Sequence, residues 1–205
     1  MKLLRTANAG ILIETDGLKI LIDGVSKKIL NYEETPESIK EDLCRQFPDV
    51  VMHTHYHDDH YDEDFSNIYT KNTLRSAYGP EFALCGKMGN TKIKGIATRH
   101  IGKSDIAHVS YVINGEKCIW FMGDASPLEI KNINEPKPDI LIIPYAYVTT
   151  KASWELTKSL KAEKIILLHM PKRNEDIHNL WNAMEETTQC PENLVILNMG
   201  EEVEI

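Results

Sequence analysis

No apolar run in the sequence approaches the roughly 20 residues that a membrane-spanning helix needs. The opening stretch, MKLLRTANAGILIETDG, turns polar too soon for a secretory signal. A soluble, cytoplasmic protein without a membrane span is therefore expected. Basic residues are also scarce: 23 lysines and arginines face 31 aspartates and glutamates, a formal net charge of −8. No basic cluster exceeds Lys27–Lys28 or Lys172–Arg173. Nucleic-acid affinity comes largely from cations that neutralise phosphates, so nucleic acid is not an expected partner. The four cysteines, Cys44, Cys85, Cys118 and Cys190, are widely spread with no CxxC spacing. Reduced packing residues are expected, and not a disulfide framework. Repeats, low-complexity segments and linkers are missing too. The 205 residues suffice for one compact domain spanning 1–205.

What is present is an alternation of strand-like and helix-like segments. Strands are expected at Lys2–Arg5, Ala9–Thr15 and Leu18–Asp23, the last two joined by the hairpin dipeptide Asp16-Gly17. Thr35-Pro36-Glu37-Ser38 reads as a cap with proline at the first helical position, opening a helix to Gln46. A short buried strand, Asp49–Met52, follows. Further strands fit Glu81–Cys85 and Lys92–Arg99, and a hairpin, His108–Ile113 with Lys117–Met122, turns at Asn114-Gly115. Asp139–Pro144 and Lys164–Leu168 are continuous apolar runs, the pattern of strands covered on both faces. Helices fit Ser153–Lys161 and Glu175–Thr187, and a closing hairpin is expected around Met199-Gly200. Together these suggest two sheets covered by helices.

The stretch HTHYHDDH, His53 to His60, packs four histidines and two aspartates into eight residues. A strand leaving a core places residues i and i+2 on one side, about 6.5 Å apart at a rise of about 3.3 Å per residue. Two imidazoles at that separation can converge on one metal, with Zn–N bonds of about 2.0–2.1 Å. His55 and His57 have this spacing, and Asp59 and His60 follow where the chain must turn. The pattern H-x-H-x-D-H fits from His55. From His53 it fails, because His57 falls where aspartate is needed and Asp58 where histidine is needed. The candidate ligands are thus His55, His57, Asp59 and His60, with His53 and Asp58 in supporting or exposed positions. A solvated polar loop is the competing reading, and structural histidines rarely arrive in this pattern.

Other ligands should sit at the ends of other strands. His100 ends Lys92–Arg99, Asp124 follows the Cys118–Met122 segment, and His169 ends KIILLHM. Each is a single metal-type residue directly after a buried strand, and each taken alone serves equally well as a cap or loop residue.

With these segments in view, the sequence resembles the metallo-β-lactamase superfamily, close to its lactonase-like and phospholipase-like members. The resemblance rests on NAGILIETDGLKILIDG, THYHDDHYD, TRH, SYVINGEKCIWFMGDAS, PDILIIPYAYV and KIILLHMP, in that order along nearly the whole chain. It implies an α/β fold, the four-layer αββα sandwich of two mixed sheets flanked by helices. It also implies two divalent metal ions, zinc first, with manganese or iron(II) as alternatives. One would be held by His55, His57 and His100, the second by Asp59, His60 and His169, and Asp124 would bridge both.

Such a site implies a dinuclear metal-dependent hydrolase that uses a metal-bridging hydroxide on a small ester, lactone or phosphodiester, with Asp59 orienting the nucleophile. The local positive charge would favour an anionic small-molecule substrate. A mononuclear iron oxygenase acting on a thiol is the alternative, and a non-catalytic metal-binding module is a third reading. Around the site, His108 and Lys103 are weighed as cleft residues against exposed positions, with exposure favoured. Tyr145 and Tyr147 are balanced between pocket and packing. Arg5 and Asn8 lie near the first turn, and His178 is expected in solvent. Substrate, metal and oligomeric state are not encoded legibly.

Overall fold

The computed structural model describes residues 1–73, 75–102 and 105–205. Strands β1 (Lys2–Arg5), β2 (Ile11–Thr15) and β3 (Leu18–Ile22) form an antiparallel meander. Asp16 and Gly17 link the last two with φ of 51° and 75°, the left-handed pair that a two-residue hairpin turn requires. Parallel strands β4 (Val50–Met52) and β5 (Ala77–Tyr78) extend this sheet past β3. Helices α1 (Glu37–Gln46) and α2 (Glu63–Thr73) supply the two crossovers. A last strand, β13 (Glu202–Glu204), pairs antiparallel with β1 and completes the order β13-β1-β2-β3-β4-β5.

The second sheet begins with the antiparallel strands β6 (Cys85–Met88), β7 (Thr91–Ala97), β8 (Val109–Asn114) and β9 (Cys118–Phe121). It continues in parallel through β10 (Ile140–Ile143), β11 (Lys164–Leu167) and β12 (Leu194–Ile196). Helices α3 (Lys151–Ser159) and α4 (Leu180–Thr188) make the crossovers on either side of β11.

Side-chain alternation assigns the layers. Ile11, Ile13, Ile20, Ile22, Val50 and Met52 share one cluster with Ile113, Ile119, Phe121, Ile140 and Ile142 of the other sheet. Their neighbours Leu12, Leu21 and Val51 turn the opposite way, onto Leu43 of α1 and Phe65 and Tyr69 of α2. Trp120, Leu141, Ile143, Ile165 and Leu167 likewise face outward, onto Trp154 of α3 and Met184 of α4. Both faces of the central strands are thus dry, which is why ILII and the Ile165–Leu167 run of β11 are apolar. The result is an αββα sandwich of two mixed sheets, as expected. Among the described residues, no helix is long and apolar enough to cross a membrane.

Several boundaries differ from those expected. The strand placed at Glu81–Cys85 is a 3₁₀ turn over Pro80–Phe82 followed by β6, because Pro80 fixes φ and carries no N–H for a ladder. The last helix starts at Leu180 and not Glu175, since the Asp176 carboxylate accepts from the N–H groups of Leu180 and Trp181 and caps it there. Thr35 does not cap α1; its hydroxyl accepts from Ser26 N at 3.0 Å instead. The closing hairpin is a crossover: β12 belongs to the seven-stranded sheet and β13 to the six-stranded one. Helix α2 and strand β5 were not foreseen. The four cysteines are free thiols, but Cys44, Cys85 and Cys190 are exposed and so do not pack the core.

Candidate metal centre

One edge of the sandwich collects the ends of β3, β4, β7, β9 and β11. Strands β9, β10 and β11 run parallel, and β7 reaches the same edge because two antiparallel pairings separate it from β9. The residues just past these ends are Asp23, the His53–His60 segment, His100, Asp124 and His169. Side chains beyond the carboxyl ends of parallel strands share a crevice in open α/β sheets, and here two sheets contribute to one.

The donor atoms fall into three overlapping sets, each with all its atoms within 4.8 Å of one another: His55, His57 and His100; His55, His60 and Asp124; Asp59, His60 and His169. Asp124 lies among them. Its Oδ1 is 3.6 Å from His60 Nε2, while its Oδ2 is 3.6 Å from His100 Nε2 and 3.5 Å from His169 Nε2. Asp59 Oδ2 stands 3.0 Å from His169 Nε2 and 3.9 Å from His60 Nε2. His55 Nε2 and His57 Nδ1 are 3.0 Å apart. All seven residues expected as ligands from the sequence therefore meet in one place.

Asp23 sets the orientation of this cluster. Its carboxylate accepts from Thr54 N at 2.8 Å, from the Thr54 hydroxyl at 2.7 Å and from His60 Nδ1 at 2.8 Å. With Nδ1 donating there, His60 Nε2 is left facing Asp124. The Thr54 proton is committed to Asp23, so Thr54 Oγ1 accepts from His55 Nδ1, 3.0 Å away, and the lone pair of His55 Nε2 turns toward His57. His100 Nδ1 similarly donates to its neighbour's carbonyl, Ile101 O, at 2.7 Å. A carboxylate or carbonyl on the far nitrogen is the usual way a ligating imidazole is fixed. Asp23 fits the pattern that singles out His100, Asp124 and His169, a polar residue directly after a buried strand, yet it is not among the expected site residues. Its φ of 49° and the 58° of His169 put both in the left-handed region, a strain that persists where the surroundings demand it.

The carboxylates and imidazoles of the site shift one another against the effect of burial. Burial would raise the Asp124 carboxyl, but the adjoining His169 and His60 outweigh it and hold Asp124 well below the usual carboxylate range. Burial would lower His60, but Asp124 and Asp23 outweigh it and keep its proton well above the usual histidine range. His55 and His57 shift down, chiefly by burial, and are neutral lone-pair donors. Asp59 is lowered despite burial by the His169 ring.

The residues fit a divalent metal. His60 Nε2, His100 Nε2 and Asp124 Oδ1 are buried with no hydrogen-bond partner among the described residues. Each such atom costs about 1–3 kcal/mol if left unsatisfied. All three point into one histidine and carboxylate cluster, a donor set suited to zinc, manganese or iron.

The remaining expected site residues separate clearly. His53 is buried, not exposed: its Nε2 meets Ser66 Oγ at 3.0 Å and ties the segment to α2. Asp58 is exposed, 4.0 Å from Lys27. His108 corrects the expected exposed position. It is buried and pushed down to about 4, chiefly by burial. Its Nε2 accepts the backbone N–H of Asp124 at 3.0 Å and its Nδ1 donates to Thr98 Oγ1 at 2.8 Å. It therefore holds the Asp124 turn and carries no proton to donate into the cleft. Gly123 in that turn has φ 53°, and a Cβ there would lie 2.6 Å from Thr54 Cγ2. Tyr147 is core, with its hydroxyl on Ser126 O. Tyr145 stays at the site, its ring 5.7 Å from that of His169. Tyr32, unmarked in the sequence because it lies in an aperiodic loop, meets His169 edge-on at 4.6 Å. Arg5 and Asn8 reach the back of the His169 segment, and His178 is exposed. Lys103 lies outside the described residues. A concavity of about 780 Å³ between α1 and α2 is lined by Lys40, Phe65 and Ile68 and includes none of the cluster. The donor set, not cavity size, locates the site.

Residues 6–169 match the family model described as the beta-lactamase superfamily domain. The chain belongs to the beta-lactamase superfamily. Its fold recurs in a possible metal-dependent hydrolase from Veillonella parvula DSM 2008, with a TM-score of 0.72 at 13% identity over 100% of this chain and 99% of that one. An isothiocyanate hydrolase from Delia radicum gut bacteria gives 0.66 at 19% identity, over 100% and 99%. CmlA, a diiron beta-hydroxylase from Streptomyces venezuelae, gives 0.63 at 12% identity, over 100% of this chain and 54% of that one. No curated protein sequence matches. At these identities the likeness establishes the fold alone, and a fold found in both a hydrolase and a hydroxylase leaves the reaction to be argued from the site.

Proposed function

We propose that the chain is a dinuclear metal-dependent hydrolase of a small ester, lactone or phosphodiester, near the lactonase-like and phospholipase-like branch, with residues 1–205 as one domain. His55, His57 and His100 would hold one ion, Asp59, His60 and His169 a second, and Asp124 would lie between them. The observation that carries this reading is the placement of Asp124, whose two oxygens lie within 3.6 Å of His60, His100 and His169 at once. Zinc is the first candidate, with manganese or iron(II) next.

Two divalent ions in such a site supply a hydroxide near neutral pH and polarise the substrate's carbonyl or phosphoryl oxygen. The chain's own groups do the rest. Asp59, buried and ionised, is placed to accept a hydrogen bond from that hydroxide and orient it for attack. Asp23 and Thr54 fix the His60 and His55 rings so that no reorientation is needed during turnover. Burial raises the Tyr32 and Tyr145 phenols, seconded at Tyr32 by Tyr145 and at both by Asp124 and Asp59, so both keep their protons and offer O–H donors to a substrate oxygen beside His169. His57, only partly buried, marks the open side from which substrate enters.

Replacing Asp59 with Asn tests this. Turnover on an ester, lactone and phosphodiester panel should fall about 10²–10⁴-fold, with the metal of the three-histidine set retained. Turnover within a few-fold of the parent would remove Asp59 from the chemistry.

A further inference from the structure

Behind His169 lies a second chamber of about 450 Å³ that the proposed chemistry does not use. Its volume is that of a small-molecule site. Cations from two distant segments line it, Arg5 from β1 and Lys172 and Arg173 from the loop after His169, against one lining carboxylate, Glu33. This is a local positive surplus on a chain of net charge −8.

Arg5 is the central group. Its Nε donates to Ala7 O at 3.1 Å, Nη1 to Leu197 O at 2.6 Å and Nη2 to Asn8 O at 3.2 Å. Those bonds engage three of the five guanidinium N–H groups and leave one on each terminal nitrogen. No carboxylate lies in ion-pair range of Arg5 among the described residues. Burial brings its pKa down to about 10, so it stays charged at neutral pH. The other two cations are already matched: Lys172 pairs with Glu33, and Arg173 with Glu185 at 2.8 Å. Asn8, 2% exposed, also lines the chamber, and its Nδ2 has no partner among the described residues. The two uncommitted N–H groups of Arg5, beside the buried Asn8 amide, are what a carboxylate or phosphate entering the concavity would satisfy. An apolar side completes it: Trp181, whose ring carries the Arg173 guanidinium at 4.1 Å, together with Met170 and Leu197.

The chamber is coupled to the metal centre by shared backbone. Asn8 O accepts both from Arg5 Nη2 and from His169 N, the latter at 3.0 Å. Asn31 and Glu33, which line the chamber, flank the Tyr32 that abuts His169.

We propose that this chamber binds the anionic group, carboxylate or phosphate, of a small molecule that also carries an apolar portion. The inference rests on the hydrolase reading in one respect only, that the molecule is the substrate of the adjoining centre. The test is calorimetric titration of the metal-loaded protein with phenyl phosphate, benzoate and benzyl alcohol. Each is repeated on Arg5→Lys and on the double variant Lys172→Ala/Arg173→Ala, with metal content and melting temperature measured alongside. The expected result is saturable binding of an anion, the tighter one identifying the class. Arg5→Lys keeps the charge but loses the fork, and the double variant leaves Glu33 and Glu185 without their cations, so each should weaken it about tenfold or more. Metal content should not change. Anion binding that both variants leave intact would overturn the proposal, as would benzyl alcohol binding equally well or no anion saturating at all. If Arg5→Lys melts far below the parent, the double variant, whose side chains are exposed, decides between these outcomes. Arg5-dependent anion binding to protein that holds no metal would keep the chamber and sink the hydrolase reading; two bound metals with no Arg5 dependence would do the reverse.

Discussion

The two halves of the histidine cluster are built on different physical terms. His55, His57 and His100 are all imidazoles, and His57 opens to solvent. Burial pushes His55 and His57 down, so neutral rings meet there without a charge to balance. Asp59, His60 and His169 are all buried, with the Asp124 and Asp23 carboxylates against them. Buried carboxylates need a compensating positive charge, and His60, whose proton Asp124 and Asp23 hold, supplies part of it. The buried half is thus pre-organised by ionic hydrogen bonds, the open half by neutral ones, the Thr54 hydroxyl relay on His55 and the Ile101 carbonyl on His100. The comparison teaches that one histidine and carboxylate cluster can be half locked and half accessible.

Changes at named residues should separate the halves. The largest effect belongs to the Asp59→Asn turnover loss set out above, which leaves the open half loaded. Asp23→Ala comes next: the buried half should lose about 10–100-fold in metal affinity, read by competition with a chromogenic chelator, and the open half should lose less. Equal losses in both halves would show that the relay through Thr54 matters as much as the direct bond to His60. Thr54→Val keeps the shape and removes that relay while leaving the His60 bond to Asp23 in place, so the open half should weaken more than the buried half, by about tenfold. Acid should act on the buried half. A metal bound at His60 Nε2 must displace a proton that the folded chain holds above the usual histidine range, so affinity there should fall as pH drops. Titration in buffers of different ionisation heats should find proton release greater for that half. The smallest effect is at Asp58, where alanine should leave metal content unchanged and stability within about 0.5 kcal/mol. A lost metal there would mean that the pattern begins at the wrong histidine.

Much of this architecture was legible in the residues themselves. The continuous apolar runs around Ile140–Ile143 and Lys164–Leu167 announced strands covered on both faces, and Asp16-Gly17 and Asn114-Gly115 announced hairpins, because these depend on local pattern and turn chemistry. The partners of β12 and β13 were not legible. Nothing local tells Leu194–Ile196 to join one sheet and Glu202–Glu204 the other, since that choice is made by packing at long range. At the site, H-x-H-x-D-H is a local pattern, whereas the burial of His108 and its bond to Asp124 N arise from three-dimensional closure of the β8–β9 region on the crevice. Asp23 was findable, since Leu18–Ile22 is a buried strand ending in a single acid. Tyr32 and the Arg5 chamber carry no periodic signal and emerge only when the His169 loop folds against the first turn.

Elemental analysis of the metal bound per chain, on protein purified without chelator or added metal, tests the central claim most directly. The account predicts about two divalent ions per chain, zinc or manganese, falling to about one when Asp59, His60 and His169 are replaced together. A single iron per chain would contradict the dinuclear hydrolase and favour oxygen chemistry on the same scaffold, and no metal even after reconstitution would contradict the site itself.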